Sequence, residues 1–287
     1  MVRKKPVLLK IFMPVWWLVK YAFIALWWLV KNISLQLSYS VKWFASRSNE
    51  ARKGVQQHVA KKLAVPAQIS DVLVKDVVGG NFEIFLSRLM NDSLIISICG
   101  RRGSGKSTLG FRLMENINAK TRRPCFVLGV QQDVLPAWID SVEDLNEIRN
   151  GGVVLVDEGA VSFSSRNAMS KKNKALGELL AIARHKDLTL LLVTQNTGML
   201  DKNVLNLCDT ILLKEGSLLQ SEMERPVMKK LYEKVADHFK KLAPNERKSH
   251  AYVFDADFEG LISVQLPSFW NERISKNQAQ KSYTTRA

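Results

Sequence analysis

Cysteine is scarce in this chain: three residues among 287, Cys99, Cys125 and Cys208, each alone in an apolar run and none in a CxxC pair. That excludes a disulfide framework and a paired-cysteine zinc site, and it suits a reducing cytoplasm. Carboxylates are also short, 27 Asp and Glu against 42 Lys and Arg, for a formal net charge of +15. No disorder signature accompanies that imbalance, because 46% of the residues are hydrophobic and 24% are charged, enough apolar material to fill a core. A cleaved secretory leader is not expected either. The first apolar stretch is too long, is punctuated by lysines and has no clear A-x-A site.

What the sequence does have is basic charge in particular places. Residues 1–92 carry 14 Lys and Arg against 5 Asp and Glu, residues 93–225 carry 17 against 15, and residues 226–287 carry 11 against 7. The excess therefore lies mostly outside the middle of the chain. A basic flank suits an anionic membrane surface or a nucleic-acid backbone, and charge alone does not choose between them.

The stretch from Val7 to Phe44 is apolar, rich in tryptophan and internally repeated, with WWLVK at Trp16–Lys20 and again at Trp27–Lys31. An offset of eleven residues is close to three helical turns, so the two copies share one face, rotated by only about 20°. Lys10, Lys20, Lys31 and Lys42 form a stripe there, and Phe12, Val15, Val19, Phe23 and Leu26 line the other side. The pattern predicts an amphipathic helix in one of three settings: lying in a membrane surface with its lysines among the headgroups, spanning the membrane, or buried in a protein interface. A lysine near the middle of any 20-residue window costs about 2.5–3.5 kcal/mol at a bilayer centre. The two Trp pairs would stand only about 16 Å apart on the axis, against a core of about 30 Å. An in-plane anchor over residues 7–44, on the cytoplasmic face of a membrane, is the favoured expectation. The domain expectation is a membrane-associated helix over 1–45, a polar helix and linker over 46–70, a catalytic α/β domain over 71–267 and a flexible basic tail over 268–287.

The chemistry is carried by the middle of the chain. Ser93 to Cys99 is a short apolar run of the kind that forms a buried parallel strand. It feeds into Gly100-Arg101-Arg102-Gly103-Ser104-Gly105-Lys106-Ser107, which matches GxxxxGK[ST], followed by Thr108 and a helical pattern to Asn118. In such a loop the glycines turn backbone N–H groups inward around phosphates, and the helix adds its positive N-terminus. Lys106 reaches the β- and γ-phosphates and the Ser107 hydroxyl ligates Mg²⁺. A second strand, Val153 to Val156, ends on Asp157-Glu158. Asp157 is the expected holder of the magnesium shell and Glu158 the residue that orients and polarises the attacking water. ATP and Mg²⁺ are thus the expected cofactors. The fold expected is α/β: a three-layer P-loop NTPase of the RecA/ASCE kind with a mainly parallel central sheet, preceded by the hydrophobic amphipathic helix. Further expected elements are strands at Cys125–Val130, Leu188–Thr194 and Thr210–Leu213, helices at Ser141–Asn150, Lys174–His185 and Ser221–Leu242, and a closing strand pair from Tyr252 to Leu266. Asp255 and Asp257 read more readily as a turn than as metal ligands.

The succession GRRGSGKST, VVLVDEG and ARHKDLTLLLVTQNTGMLDKNVLNLCDTILLK resembles the FtsK/HerA superfamily of DNA-pumping ATPases, which includes viral genome-packaging, conjugative coupling and Zot-like assembly ATPases. The resemblance covers residues 93–214. It implies that Gln195 senses the γ-phosphate, that Arg184 is an arginine finger acting on a neighbouring subunit, and that the chain forms a ring, expected to be a hexamer, acting on DNA. Arg166, Lys171, Lys172 and Lys174 could line its pore or be a solvated loop. Two features depart from the family: no DNA-reading domain is added, and the apolar segment is N-terminal where Zot-like proteins carry theirs after the ATPase domain. The reading is a membrane-attached, ATP-hydrolysing motor for nucleic acid. The alternatives are a nucleotide-switched assembly factor that never grips DNA and a small-molecule phosphotransferase, which Glu158 and Gln195 disfavour.

Overall fold

The computed structural model describes residues 27–28, 65–128, 130–143, 145–157, 168–195, 205–217, 224–271 and 273–274, with backbone alone for 168–176. The chain divides into two units, Met1–Lys61 and Lys62–Ala287. In the first unit the described residues are Trp27 and Trp28, both helical and exposed. The rest of the amphipathic stretch, residues 46–64 of the expected linker, Glu158 and Arg166 lie outside the described residues, as do the side chains of Lys171, Lys172 and Lys174. Among the described residues no helix is long and apolar enough to cross a membrane.

The second unit is built on nine strands: β1 (Leu73–Gly80), β2 (Ile95–Cys99), β3 (Cys125–Leu128), β4 (Ile139–Val142), β5 (Val153–Asp157), β6 (Thr189–Thr194), β7 (Thr210–Leu213), β8 (His250–Phe254) and β9 (Phe258–Ser263). Their order across the sheet is β1-β9-β8-β7-β2-β6-β5-β3-β4. The strands from β7 to β4 run parallel, while β8, β9 and β1 extend the sheet antiparallel. This is the mainly parallel α/β sheet expected. Buried on both faces, β2 reads IISIC and β6 TLLLVT without polar alternation, as parallel strands under helices must.

Side-chain alternation then divides the core into layers. Ile96, Ile98, Leu155, Leu191 and Val193 face one side, where α1 (Phe82–Asn91) and α2 (Lys106–Thr121) cover them with Phe85, Leu89, Leu109 and Leu113. Ile95, Val154, Val156, Leu190 and Leu192 face the other, under Leu179, Leu180 and Ala183 of α3 (Ala168–His185). Alongside, Met228, Tyr232, Val235 and Phe239 of α4 (Pro226–Lys240) cover Cys99, Leu213 and Tyr252. The expected helix at Ser221–Leu242 is this one. Pro226 stands in its first turn, where the missing N–H costs nothing.

Three expectations are corrected. Ser141–Asn150 is not a helix: Ile139–Val142 pairs in parallel with β3, and Leu145–Glu147 forms a single 3-10 turn. Ile139 and Val142, at the two ends of the strand, are buried, and that hydrophobic anchoring overrides a weak helical pattern. The packed domain also begins before residue 71, because Gln68 and Ser70 donate their backbone N–H groups to Glu115 (3.1 Å) and Asn116 (2.9 Å) of α2. Nor does it end at 267. Phe269 and Ile274 are buried, and Ser268 N–H donates to Glu115 at 3.0 Å. Asp255 and Asp257 form the β8–β9 turn, with Asp257 N–H donating to Asp255 Oδ1 (2.9 Å). The Arg88 guanidinium of α1 bridges both carboxylates at 2.7 and 2.5 Å.

Candidate functional site

Three parallel strands deliver the site. β2 ends at Cys99 directly before the glycine loop, β5 ends on Asp157, and β6, wedged between them, ends beside Gln195. All three open on the same edge, outside the carboxyl ends of the strands, where ligands bind in open α/β sheets.

The loop is set by backbone geometry that only glycine takes readily. Gly103 has φ +74° and Gly105 φ +86°, and α2 begins at the next residue, Lys106. A Cβ on Gly105 would approach the Lys248 carbonyl to 2.8 Å. A methyl there meets both a left-handed backbone and a main-chain oxygen. Gly105→Ala is therefore expected to weaken ATP binding at least tenfold with little change in the fold, as read by nucleotide titration beside a circular-dichroism spectrum.

Lys106 is 7% exposed and donates from Nζ to the carbonyls of Gly100 and Arg101, both at 2.9 Å. The ammonium is thus held at the loop's own rim. Ser107 Oγ donates to Asp157 Oδ2 at 3.1 Å, so the two residues expected to share a metal ion lie side by side although 50 positions apart. An oxygen pair of this kind suits a hard cation such as Mg²⁺.

These groups line a cavity of about 970 Å³: Lys106, Ser107, Thr108 and Asp157 share it with Gln195 and with Asn245, Lys248, Gln265, Leu266 and Trp270 of the C-terminal part of the chain. The C-terminal lining was not foreseen. It comes from segments that begin at Asn245, 138 residues beyond Ser107, and nothing local in the sequence marks them. Gln195, expected as the phosphate sensor, does line this cavity. Arg102, Gly103 and Gly105 line it as well. Arg101, expected among the phosphate-binding residues, turns its guanidinium away to Glu215 at 2.6 and 3.0 Å, while its carbonyl stays in the loop. Arg247 binds the same carboxylate at 2.7 Å. Burial opposes ionisation of Glu215, but the two arginines outweigh it and hold the carboxyl below its usual range.

Arg184 stands at the opposite end of the sheet. It is exposed near the C-terminus of α3, before β6 begins, one strand length of about 17 Å from the cavity edge. His185 beside it is exposed too. Neither approaches the cavity of its own chain.

A glycine cradle at a helix N-terminus, its lysine and serine, and an acidic strand separated from the loop strand by β6 define the class: the chain is a P-loop ATPase. More particularly, residues 110–215 match the family model described as Zonular occludens toxin (Zot). No curated protein matches the chain. Among solved structures, the DNA-packaging ATPase B204 from Sulfolobus Turreted Icosahedral Virus is similar at 17% identity, over 62% of this chain and 100% of that one, with a TM-score of 0.43. The pCW3 conjugation coupling protein TcpA is similar at 10% identity over 74% and 71%, with a TM-score of 0.43. The N-terminal domain of zonular occludens toxin from Neisseria meningitidis gives 19% over 42% and 76%, with a TM-score of 0.29.

Proposed function

We propose that this ATPase is a membrane-attached motor that moves nucleic acid, working as a ring. The observation that carries the catalytic half is the Ser107–Asp157 pair, which lines one cavity with Lys106 and Gln195. In this reading the loop N–H groups and Lys106 hold the phosphates, and Ser107 and Asp157 hold the Mg²⁺, which neutralises charge on the phosphates when bound. Glu158, the next residue along the chain, orients water toward the γ-phosphate, and Gln195 reports whether that phosphate is present. Arg184 suits a finger in trans, because it is exposed and far from its own cavity while a neighbour in a ring could receive it.

The nucleic-acid half is supported by charge and by the resemblance read in the sequence. The chain carries an excess of 15 positive charges, and the FtsK/HerA resemblance of residues 93–214 is to ATPases that pump DNA. Membrane attachment rests on the lysine stripe and tryptophan pairs of residues 7–44. The second reading, an assembly factor that spends ATP without gripping DNA, follows the Zot-like branch of that resemblance, the branch that the family match over residues 110–215 favours.

The two part on one measurement. If the chain moves DNA, adding DNA should raise its ATPase rate, and the rise should fall steeply as salt increases from about 50 to 200 mM, because phosphate contacts release counterions. A rate indifferent to DNA at low salt would favour the assembly reading. For the ring, sedimentation with ATP that shows monomers under all conditions would sink it.

A further inference from the structure

Lys214 follows β7 directly and is fully buried. Its backbone N–H donates to the Cys99 carbonyl at 2.8 Å, bonding it to the residue before the phosphate loop. Its Cβ stands against Gly100, where an added Cβ would come within 2.6 Å. Its Nζ donates to the Lys248 carbonyl at 2.7 Å and lies 3.7 Å from the point where a side chain on Gly105 would begin. The side chain therefore runs beneath the loop from its first glycine to its last and is not itself among the residues that line the cavity.

An ammonium in that position is poorly compensated. Glu215, its neighbour in sequence, is committed to Arg101 and Arg247. Among the described residues no carboxylate comes within ion-pair distance of Lys214, and the charge that acts on it is that of Lys106, of the same sign. Burial, and secondly Lys106, push its pKa down to about 7. A buried cation whose partner is a carbonyl is expensive to keep, and a neutral residue of the same length would pack there without that cost. What lies across the loop is a cradle for a polyanion, and charge acts strongly over a few ångströms of dry protein.

We propose that Lys214 is a positioning residue for the nucleotide, its ammonium serving through the floor of the loop as the fixed counter-charge for phosphates held above. This rests on the P-loop reading. Lys106 meets the phosphates from the cavity side and Lys214 from beneath, so the loop is sandwiched between two cations that bound phosphate reconciles. The same ammonium also fixes the carbonyl of Lys248, which lines the cavity.

The test uses the full chain with Lys214→Met, which keeps length and removes charge. Its melting temperature without nucleotide is expected to equal or exceed that of the parent. Its dissociation constants for ATP and ADP should rise tenfold or more, with a smaller rise for AMP, whose single phosphate places less charge over the loop. A residue that merely shapes the loop would instead lower the nucleotide-free melting temperature, or weaken all three ligands by one factor. Either result overturns the proposal, as would unchanged affinities or a variant that fails to fold. A parent chain that binds none of the three refutes the P-loop reading itself, which separates the two failures.

Discussion

Replacing Lys106 with alanine is expected to abolish ATP turnover, by at least 10²–10³-fold in a phosphate-release assay, the range seen when one preorganised charge-stabilising donor is removed. Its ammonium is bonded to the Gly100 and Arg101 carbonyls at the loop rim, within reach of the cavity that Ser107 and Asp157 also line. Arriving phosphates offer it stronger, charged acceptors than those carbonyls, so its role is to exchange partners as nucleotide binds. Melting temperature should hardly fall in this variant, since what is lost is a pair of bonds within a loop already shaped by its glycines. Hydrolysis retained at the parental rate would refute the assignment of the site.

The second large effect is on stability. Glu115 of α2 is 0% exposed and accepts from the N–H groups of Gln68 and Ser268 at 3.1 and 3.0 Å, from the Ser268 hydroxyl, and from Arg112 Nη1 at 3.0 Å. Arg112 in turn donates to the carbonyls of Gln68, Gln265 and Leu266. One buried ion pair thus pins two distant segments, 65–70 and 265–268, to a single helix. Glu115→Ala would leave a buried guanidinium without its carboxylate and two N–H groups without an acceptor. Breaking such a pair costs about 3–5 kcal/mol, which for a unit of this size is on the order of 10 °C in melting temperature. Because Gln265, Leu266 and Trp270 line the cavity, nucleotide affinity should fall with it. Differential scanning calorimetry with and without ATP reads both, and an unchanged melting temperature would refute the clamp.

The parts legible in the sequence were those whose signal is local. β2, β5 and β6 are unbroken apolar runs, and the glycine spacing between β2 and α2 has a single chemical use, so the loop, Lys106, Ser107 and Asp157 could be placed before any coordinates. β1 was illegible because as an edge strand it keeps most of its residues exposed, Val77 and Val78 included, and its sequence ends in two glycines. β4 hid behind a short, half-polar IDSV that anchors at its ends. The clamp joins residues 44 to 154 positions apart, and the C-terminal lining of the cavity is likewise remote from the loop, distances that no periodicity records. Lys214 had a faint signal, a charge closing an apolar strand, but only the fold shows that it sits beneath the loop.

The wedge strand β6 has a mechanical consequence. It is hydrogen-bonded to β2 on one flank and to β5 on the other along its whole length, so it cannot slide on its own axis without breaking two ladders at once. A nucleotide bound at its carboxyl end therefore meets a strand held from both sides, with the sheet acting as the anvil of the site.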